Sequence, residues 1–259
     1  MATGRAAADS SVVVTHTIGG NSLLDIAKNV LGSVPTAWGR YFTSTASKNS
    51  VVYRPAQENV AFNATGTKLI PIARQTLRVG GSKNEGAADG AMNAEALIAA
   101  FGADLFAAAG NEFLMFLDVE GPPHSLSAEY YAGWSTALQA RSRDLSNGRF
   151  VILPCVYATQ ADNQTWRAVV SAGTVCAAAW VARWRVRGCS ALLDWKPAIV
   201  QPSVPLNCPV VIWQYADECH GGEGIDCDEL NPDPKVQSFL LDRLLLPPAH
   251  ATGAELEMQ

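Results

Sequence analysis

The chain has 259 residues, 48% of them hydrophobic and 17% charged, the composition of a folded globular protein with a large core. Its formal net charge of −5 argues against a surface built for nucleic acid or an anionic membrane, each of which needs a basic patch. No uninterrupted run of about 18 apolar residues is present, so no transmembrane helix is expected.

Residues 1–11 read as a flexible N-terminus, and the opening MATGRAAADS lacks the apolar core of a signal peptide. Residues 12–15, VVVT, are a short β-rich run and form the expected first strand. An amphipathic helix is expected over 23–31, a second strand over 38–42, and a polar, irregular stretch with a short helix over 43–63. Residues 68–73, KLIPIA, are a third strand. A loop rich in Gly, Asn and Ser over 80–90 leads into an Ala-rich helix at 91–101, and 112–119 is a fourth strand.

The alternation then repeats. A helix over 126–143, with Ser125 or Ser127 as N-cap, precedes a strand over 150–157. A helix over 163–172 precedes strands over 175–184 and 209–215, and a last helix covers 234–245. The tail, 247–259, reads as disordered. Strands alternating with helices imply parallel strands joined by crossovers. About eight such units in this length predict one α/β domain over 12–246, a closed (β/α)8 TIM-like barrel. Neither GxGxxG nor GxxxxGK[ST] follows the first strand, which disfavours an open nucleotide-binding sheet, and no cofactor is expected.

One strand end stands out. The apolar run FLMFL at 113–117 finishes in Asp118-Val119-Glu120 and is stopped by Gly-Pro-Pro. Residues i and i+2 of a strand face the same side. Asp118 and Glu120 are therefore both expected at the mouth of the barrel, where such folds do their chemistry. Two nearby carboxylates raise one another's pKa and suit acid catalysis of the glycosidase type. The plain alternative is that both acids cap the next helix or meet solvent. Downstream, VILPCVY puts Tyr157 at a strand end, AWVARW puts Trp180, Ala182 and Trp184 on one face, and VVIWQY carries Trp213 and Gln214. Flat rings beside acids are what a sugar-binding cleft requires. The basic run RWRVR at 183–187 alternates with apolar residues and reads as a strand with one solvated face.

The order D-x-E at a strand end, a strand ending in Tyr, W-x-A-x-W, W-Q-Y and then G-I-D resembles the family 25 glycoside hydrolases, lysozyme-like N-acetylmuramidases on a modified α/β barrel. The chain is still more similar to a related bacterial glycoside-hydrolase-like domain of unknown function. Its G-R-Y segment, V-P-I strand and E-G-A-x-D stretch are matched by Gly39-Arg40-Tyr41, Leu69-Ile-Pro-Ile72 and Glu85-Gly-Ala-Ala-Asp89. The resemblance spans roughly 12–243. It implies a hydrolase acting on peptidoglycan-like glycans, with Glu120 as general acid. Asp118 would position the substrate N-acetyl group or stabilise charge at the anomeric carbon. Asp226 would line the cleft, with Asp228 as the alternative match. Tyr157, Trp184, Trp213 and Gln214 would contact sugar. A wall-acting enzyme would be secreted or held in the cell envelope.

The lysozyme family also has an Asp at the end of its first strand, whereas VVVT-His16-Thr17 has none. His16 would occupy that mouth position or be structural. Glu85 and Asp89 would supply the charge from the third loop, or simply cap a helix. A site short of one acid leaves open a carbohydrate-binding or cell-wall adaptor without turnover. An amide or ester hydrolase has less support, since there is no Gly-x-Ser-x-Gly elbow. All six cysteines follow residue 150. Cys219 and Cys227 bracket a Gly-rich loop and are placed to staple it, with buried thiols as the alternative. There is no CxxC, so no zinc site is expected.

Overall fold

In a computed structural model, which describes residues 4–44, 52–121 and 124–250, the chain starts its barrel earlier than the sequence suggests. The first strand is β1, Ala6–Asp9, fully buried, inside the segment expected to be flexible. Residues 12–15 form a loop instead, anchored where Val14 N–H donates to Glu58 Oε2 at 3.1 Å. Three alanines make a poor isolated strand. Here they are held by ladders on both sides.

The remaining barrel strands are β2 (Ala37–Ser44), β3 (Lys68–Arg74), β4 (Glu112–Val119), β5 (Val151–Thr159), β6 (Ala179–Arg187), β7 (Val210–Cys219) and β8 (Ile225–Leu230). They close in the order β1-β8-β7-β6-β5-β4-β3-β2. From β1 round to β7 the ladders are parallel. The last strand, β8, runs antiparallel to β7 and to β1, because only the short turn at Gly221–Glu223 separates it from β7. Without a crossover helix a neighbouring strand must reverse. The fold is a TIM-like α/β barrel with one inverted strand, and no strand was expected over 225–230.

The crossovers are helices α1 (Leu23–Leu31), α2 (Pro55–Thr65), α3 (Lys83–Phe101), α4 (Ala103–Ala109), α5 (Ala128–Leu145), α6 (Asn163–Ser171) and the short α7 (Pro197–Val200). The C-terminal helix is α8 (Pro234–Leu241). Ser22, Ser127, Asp162 and Asp233 cap α1, α5, α6 and α8 by accepting backbone N–H bonds. Helix α3 opens with a capping box between Ser82 and Glu85, so it starts within the stretch expected to be a loop. Its glycines let α5 approach: a Cβ on Gly86 or Gly90 would lie 2.0 or 2.3 Å from the carbonyl oxygen of Tyr130 or Trp134. Among the described residues no single helix is long and apolar enough to cross a membrane.

Two cores result. One lies between barrel and helices and includes Trp38, Phe62, Trp134 and Trp213. The other fills the lumen with Ala7, Ile70, Ile72, Leu114, Phe116, Trp180 and Ile212, and is joined by Leu240 and Leu244 from the C-terminal segment. That segment covers the N-terminal ends of β3 and β4, where Leu69 and Leu114 N–H donate to the carbonyls of Leu245 and Arg243. The C-terminal mouth is left open. Of the tail expected to be disordered, 251–259 lies outside the described residues. Pro247 and His250 accept hydrogen bonds from the side chains of Asn63 and Asn59.

Candidate active site

Strand alternation decides which side chains reach the mouth. In β4, Leu114, Phe116 and Asp118 share the lumen face, and Glu120 follows at the rim, exposed. In β1 the same parity carries Ala7 and then Asp9. Because β8 is reversed, its first residues lie at the mouth: Asp226 pairs with Asp9 across the ladder, and Asp228 sits one layer deeper beside Ala7. The first strand does end in an Asp, then, and it is Asp9.

Gln214 of β7 organises these acids. Its Nε2 donates to Asp9 Oδ2 at 2.9 Å and to Asp226 Oδ2 at 3.3 Å. Its Oε1 accepts from Tyr157 OH and from Trp184 Nε1, both at 2.8 Å. The amide can point only one way, since its oxygen faces two donors and its nitrogen two carboxylates. Asp226 Oδ1 also accepts the backbone N–H of Glu218 at 2.8 Å. Beneath, Trp180 Nε1 donates to Asp228 Oδ1 at 3.0 Å, while Asp228 Oδ2 meets no donor. Burial, and then the charge of neighbouring Asp9, hold the Asp228 carboxyl well above the usual carboxylate range.

Burial governs the proton affinities. It pushes Asp9 up to about 6, against the opposing hydrogen bond from Gln214. It pushes Asp226 up to about 8, with the charge of Asp9 adding to the effect. Asp118 is held well above the usual carboxylate range by burial and then by the charge of Glu120. Its Oδ1 has no hydrogen-bond partner, and Thr76 Oγ1 stands 3.5 Å from Oδ2. The phenols of Tyr41 and Tyr157 are also pushed well up by burial and remain donors.

The hollow above these groups is lined by Asp9, Tyr41, Ile72, Asp118, Glu120, Tyr157, Trp180, Gln214 and Asp226 and is narrow, about 50 Å³. It opens into two arms. One, about 350 Å³, runs past Thr159, Trp184 and Asp217. The other, about 180 Å³, runs past Ser10, Ser11, Arg74 and the glycines of the β7–β8 turn. Glu120 and Asp226 border both arms. The larger arm has the size of a small-molecule site.

The structure therefore brings Asp118, Glu120, Asp226, Tyr157, Trp184 and Gln214 together. Trp213, expected as a sugar contact, points the other way, because it neighbours Gln214 in a strand. It packs on Trp195 and Tyr215, and its Nε1 donates to the Arg183 carbonyl. Asp228 lies below the cleft rather than in it. Glu85 and Asp89 are outside the site. Glu85 closes the capping box, and Asp89 accepts from Tyr130 OH at 2.7 Å and pairs with Arg78 at 3.1 Å between α3 and α5. His16 faces Glu223 at 3.7 Å and does not line the cleft. The disulfide joins Cys189 to Cys219, not Cys219 to Cys227. It ties the end of β7 to the loop after β6. His220 lies within reach of both sulfurs, but those sulfurs are bonded to each other and offer no thiolate to a metal. Sequence reasoning missed Asp9, Tyr41 and Arg74 as lining residues, although G-R-Y contains one of them, while Trp180, grouped with Trp184 on one face, does line the cleft.

Gly39 and Arg40 explain why the G-R-Y segment matters here. A Cβ on Gly39 would lie 2.6 Å from Asp9 Cβ and 2.8 Å from the Trp180 ring. Arg40 points outward and grips Glu58 through Nε at 2.7 Å and Nη2 at 3.1 Å, while its Nη1 donates to the Ser10 carbonyl at 2.7 Å. This buried pair fixes the chain immediately after Asp9.

No family model and no curated protein matches the chain. Among solved structures it is similar to a 1.07 Å crystal structure of an uncharacterized B. stearothermophilus protein. That likeness has a TM-score of 0.67 at 22% identity, covering 93% of this chain and 100% of the other. It is a likeness of fold.

Proposed function

We propose that the protein is a glycoside hydrolase acting on β-linked amino-sugar glycans, in the manner of a peptidoglycan muramidase. The observation that carries this is the convergence of Asp9, Asp118, Glu120 and Asp226, from three strands, on one mouth walled by Tyr41, Tyr157, Trp180 and Trp184. Glu120 stands at the rim of both arms, so a glycosidic oxygen spanning them passes beside it. Protonation of that oxygen by Glu120 lets the C1–O bond break, and water then adds to C1 while returning a proton to Glu120. Asp118, its carboxyl held well above the usual range by burial and its Oδ1 unmet, would accept the N–H of an acetamido group from below. Asp9, held apart from Asp226 by Gln214, supplies negative charge facing the developing oxocarbenium ion above about pH 6. The disulfide suits an oxidising compartment, as a wall-acting enzyme requires.

The alternative of a glycan-binding adaptor drew its support from a first strand without an Asp, and β1 ends in one. The test is reducing-end release from purified peptidoglycan by the wild type and by Glu120→Gln. Release by the wild type alone supports the hydrolase. Retention on the glycan with no release by either protein would replace it with the adaptor.

A further inference from the structure

One wall of the cleft carries a cation that forms no ion pair among the described residues. Arg74 ends β3, opposite Asp118 in the ladder with β4. Its guanidinium lies over the Tyr41 ring, 5.3 Å from the centroid. Its Nε is buried and meets no acceptor among the described residues. It borders the same arm as Glu120 and Asp226. Every other charged side chain lining the cleft among the described residues is an acid: Asp9, Asp118, Glu120, Asp217, Glu218 and Asp226. None of these comes within ion-pair distance of Arg74, although its partly buried charge is costly unpaired. The Tyr41 ring offsets part of that cost.

A planar guanidinium with free donors in a ligand cleft matches one chemistry best, a carboxylate taken by two parallel N–H bonds. The surrounding acids would repel such a group anywhere else in the mouth. Gly221, Gly222 and Gly224 line the same arm, and a Cβ on Gly222 would meet nothing within 4 Å, so at Gly222 there is room for a substituent larger than a hydroxyl. We infer that Arg74 is a specificity-determining residue that receives a carboxylate borne by one sugar of the substrate. The acid-bearing unit lies in the Arg74 arm and a neutral ring in the Trp184 arm. This rests on the glycosidase reading above and adds the charge and orientation of the substrate.

The test compares binding of one oligosaccharide in two forms to the Glu120→Gln protein by calorimetry. The oligosaccharide contains two repeats of β-linked N-acetylglucosamine and N-acetylmuramic acid, either with free carboxylates or as their methyl esters. A charge-assisted bidentate pair should favour the free acid by about ten- to a hundredfold. Adding Arg74→Gln should bring the ratio of affinities close to one. Arg74→Lys keeps the charge but loses the fork, so it should retain a smaller preference, and it serves if the Gln variant does not fold. Equal affinities with Arg74 present, or a preference unchanged by both substitutions, would overturn the assignment and leave Arg74 as a charge that merely tunes Asp118. Failure of either form to bind, with no release from peptidoglycan by the wild type, would remove the inference together with the glycosidase reading. An Arg74-dependent preference with no hydrolysis by the wild type would sink only the hydrolase.

Discussion

Asp9 and Asp226 face one another across the β1–β8 ladder, and a single Gln214 amide donates to both. Two acids this close in a buried mouth repel unless something lies between them. The amide nitrogen does so without adding net charge, and its oxygen secures Tyr157 and Trp184. Gln214→Glu would put a third carboxylate against two others and remove the donor. It should cut kcat/KM by at least tenfold, and Tm should fall at pH 8 more than at pH 5, where added protons relieve the repulsion. Kinetics and melting at the two pH values check this. A Gln214→Glu protein with wild-type activity at pH 8 would remove Gln214 from the site.

Stability should fall as pH rises from about 5 to 9. In the unfolded chain carboxyl groups ionise near 4. In the folded chain Asp9 holds its proton to about 6, Glu229 to about 7 and Asp226 to about 8. Over that window the folded state binds more protons than the unfolded one, so each step upward in pH favours unfolding. Asp118 and Asp228, both pushed up by burial, act in the same direction. Below the unfolded values and above the folded ones these groups contribute no slope. Thermal melts across the window should show a falling Tm, and a rising one would mean the acids are better solvated than their burial implies.

Reducing the Cys189–Cys219 bond should loosen the turn that carries Glu218. The bond closes 30 residues, and cross-links of this kind stabilise by about 2–4 kcal/mol. Cys219→Ser paired with Cys189→Ser should therefore lower Tm by roughly 5–15 °C for a chain of this size. Glu218 and His220 hold left-handed backbone at φ 56° and 66°, so their turn depends on its anchors. Glu218 N–H bonds Asp226, so KM should rise along with the loss of stability. Melting with and without reductant, beside glycan kinetics, separates the two effects.

The barrel was legible because most strands are apolar runs bounded by Gly or Pro, and the crossover helices repeat between them. Asp118 and Glu120 were legible for the same reason, as acids ending such a run. Two strands escaped. Residues 6–9 are three alanines and an acid, without the β-branched residues that mark a strand. Residues 225–230, IDCDEL, are half acids, yet all are at least partly buried because Asp226 and Asp228 face the lumen and Glu229 Oε1 accepts from Gly4 N–H. Both are stabilised by tertiary partners, which local pattern does not reveal. The Trp213 error was avoidable, since adjacent residues of a strand cannot share a face and Gln214 takes the lumen. Glu85 and Asp89 were drawn toward the site by a Gly-rich segment that reads as a loop. Those glycines instead let two helices touch.

Gly39 sets how closely Asp9 and Trp180 can approach the β2 backbone, and Gly39→Ala tests whether that closeness matters. The added methyl would lie 2.6 Å from Asp9 Cβ, 2.8 Å from the Trp180 ring and 3.0 Å from Ile72 Cδ1. The Ile72 methyl is a side-chain end that can turn aside, but Asp9 Cβ and the Trp180 ring are not. Asp9 is fixed by its ladder and by Gln214, and the Trp180 indole by Asp228. Relief must come from a shift of β1 or of the indole, at a cost of about 1–3 kcal/mol. Tm should drop by several degrees. The rotation of Trp180 should also appear as a changed near-ultraviolet circular dichroism signal, and kcat should fall more than KM rises, because Asp9 moves relative to the reacting carbon. An alanine variant with unaltered melting and turnover would show that the lumen at this layer is loose, and that Asp9 does not depend on it for its position.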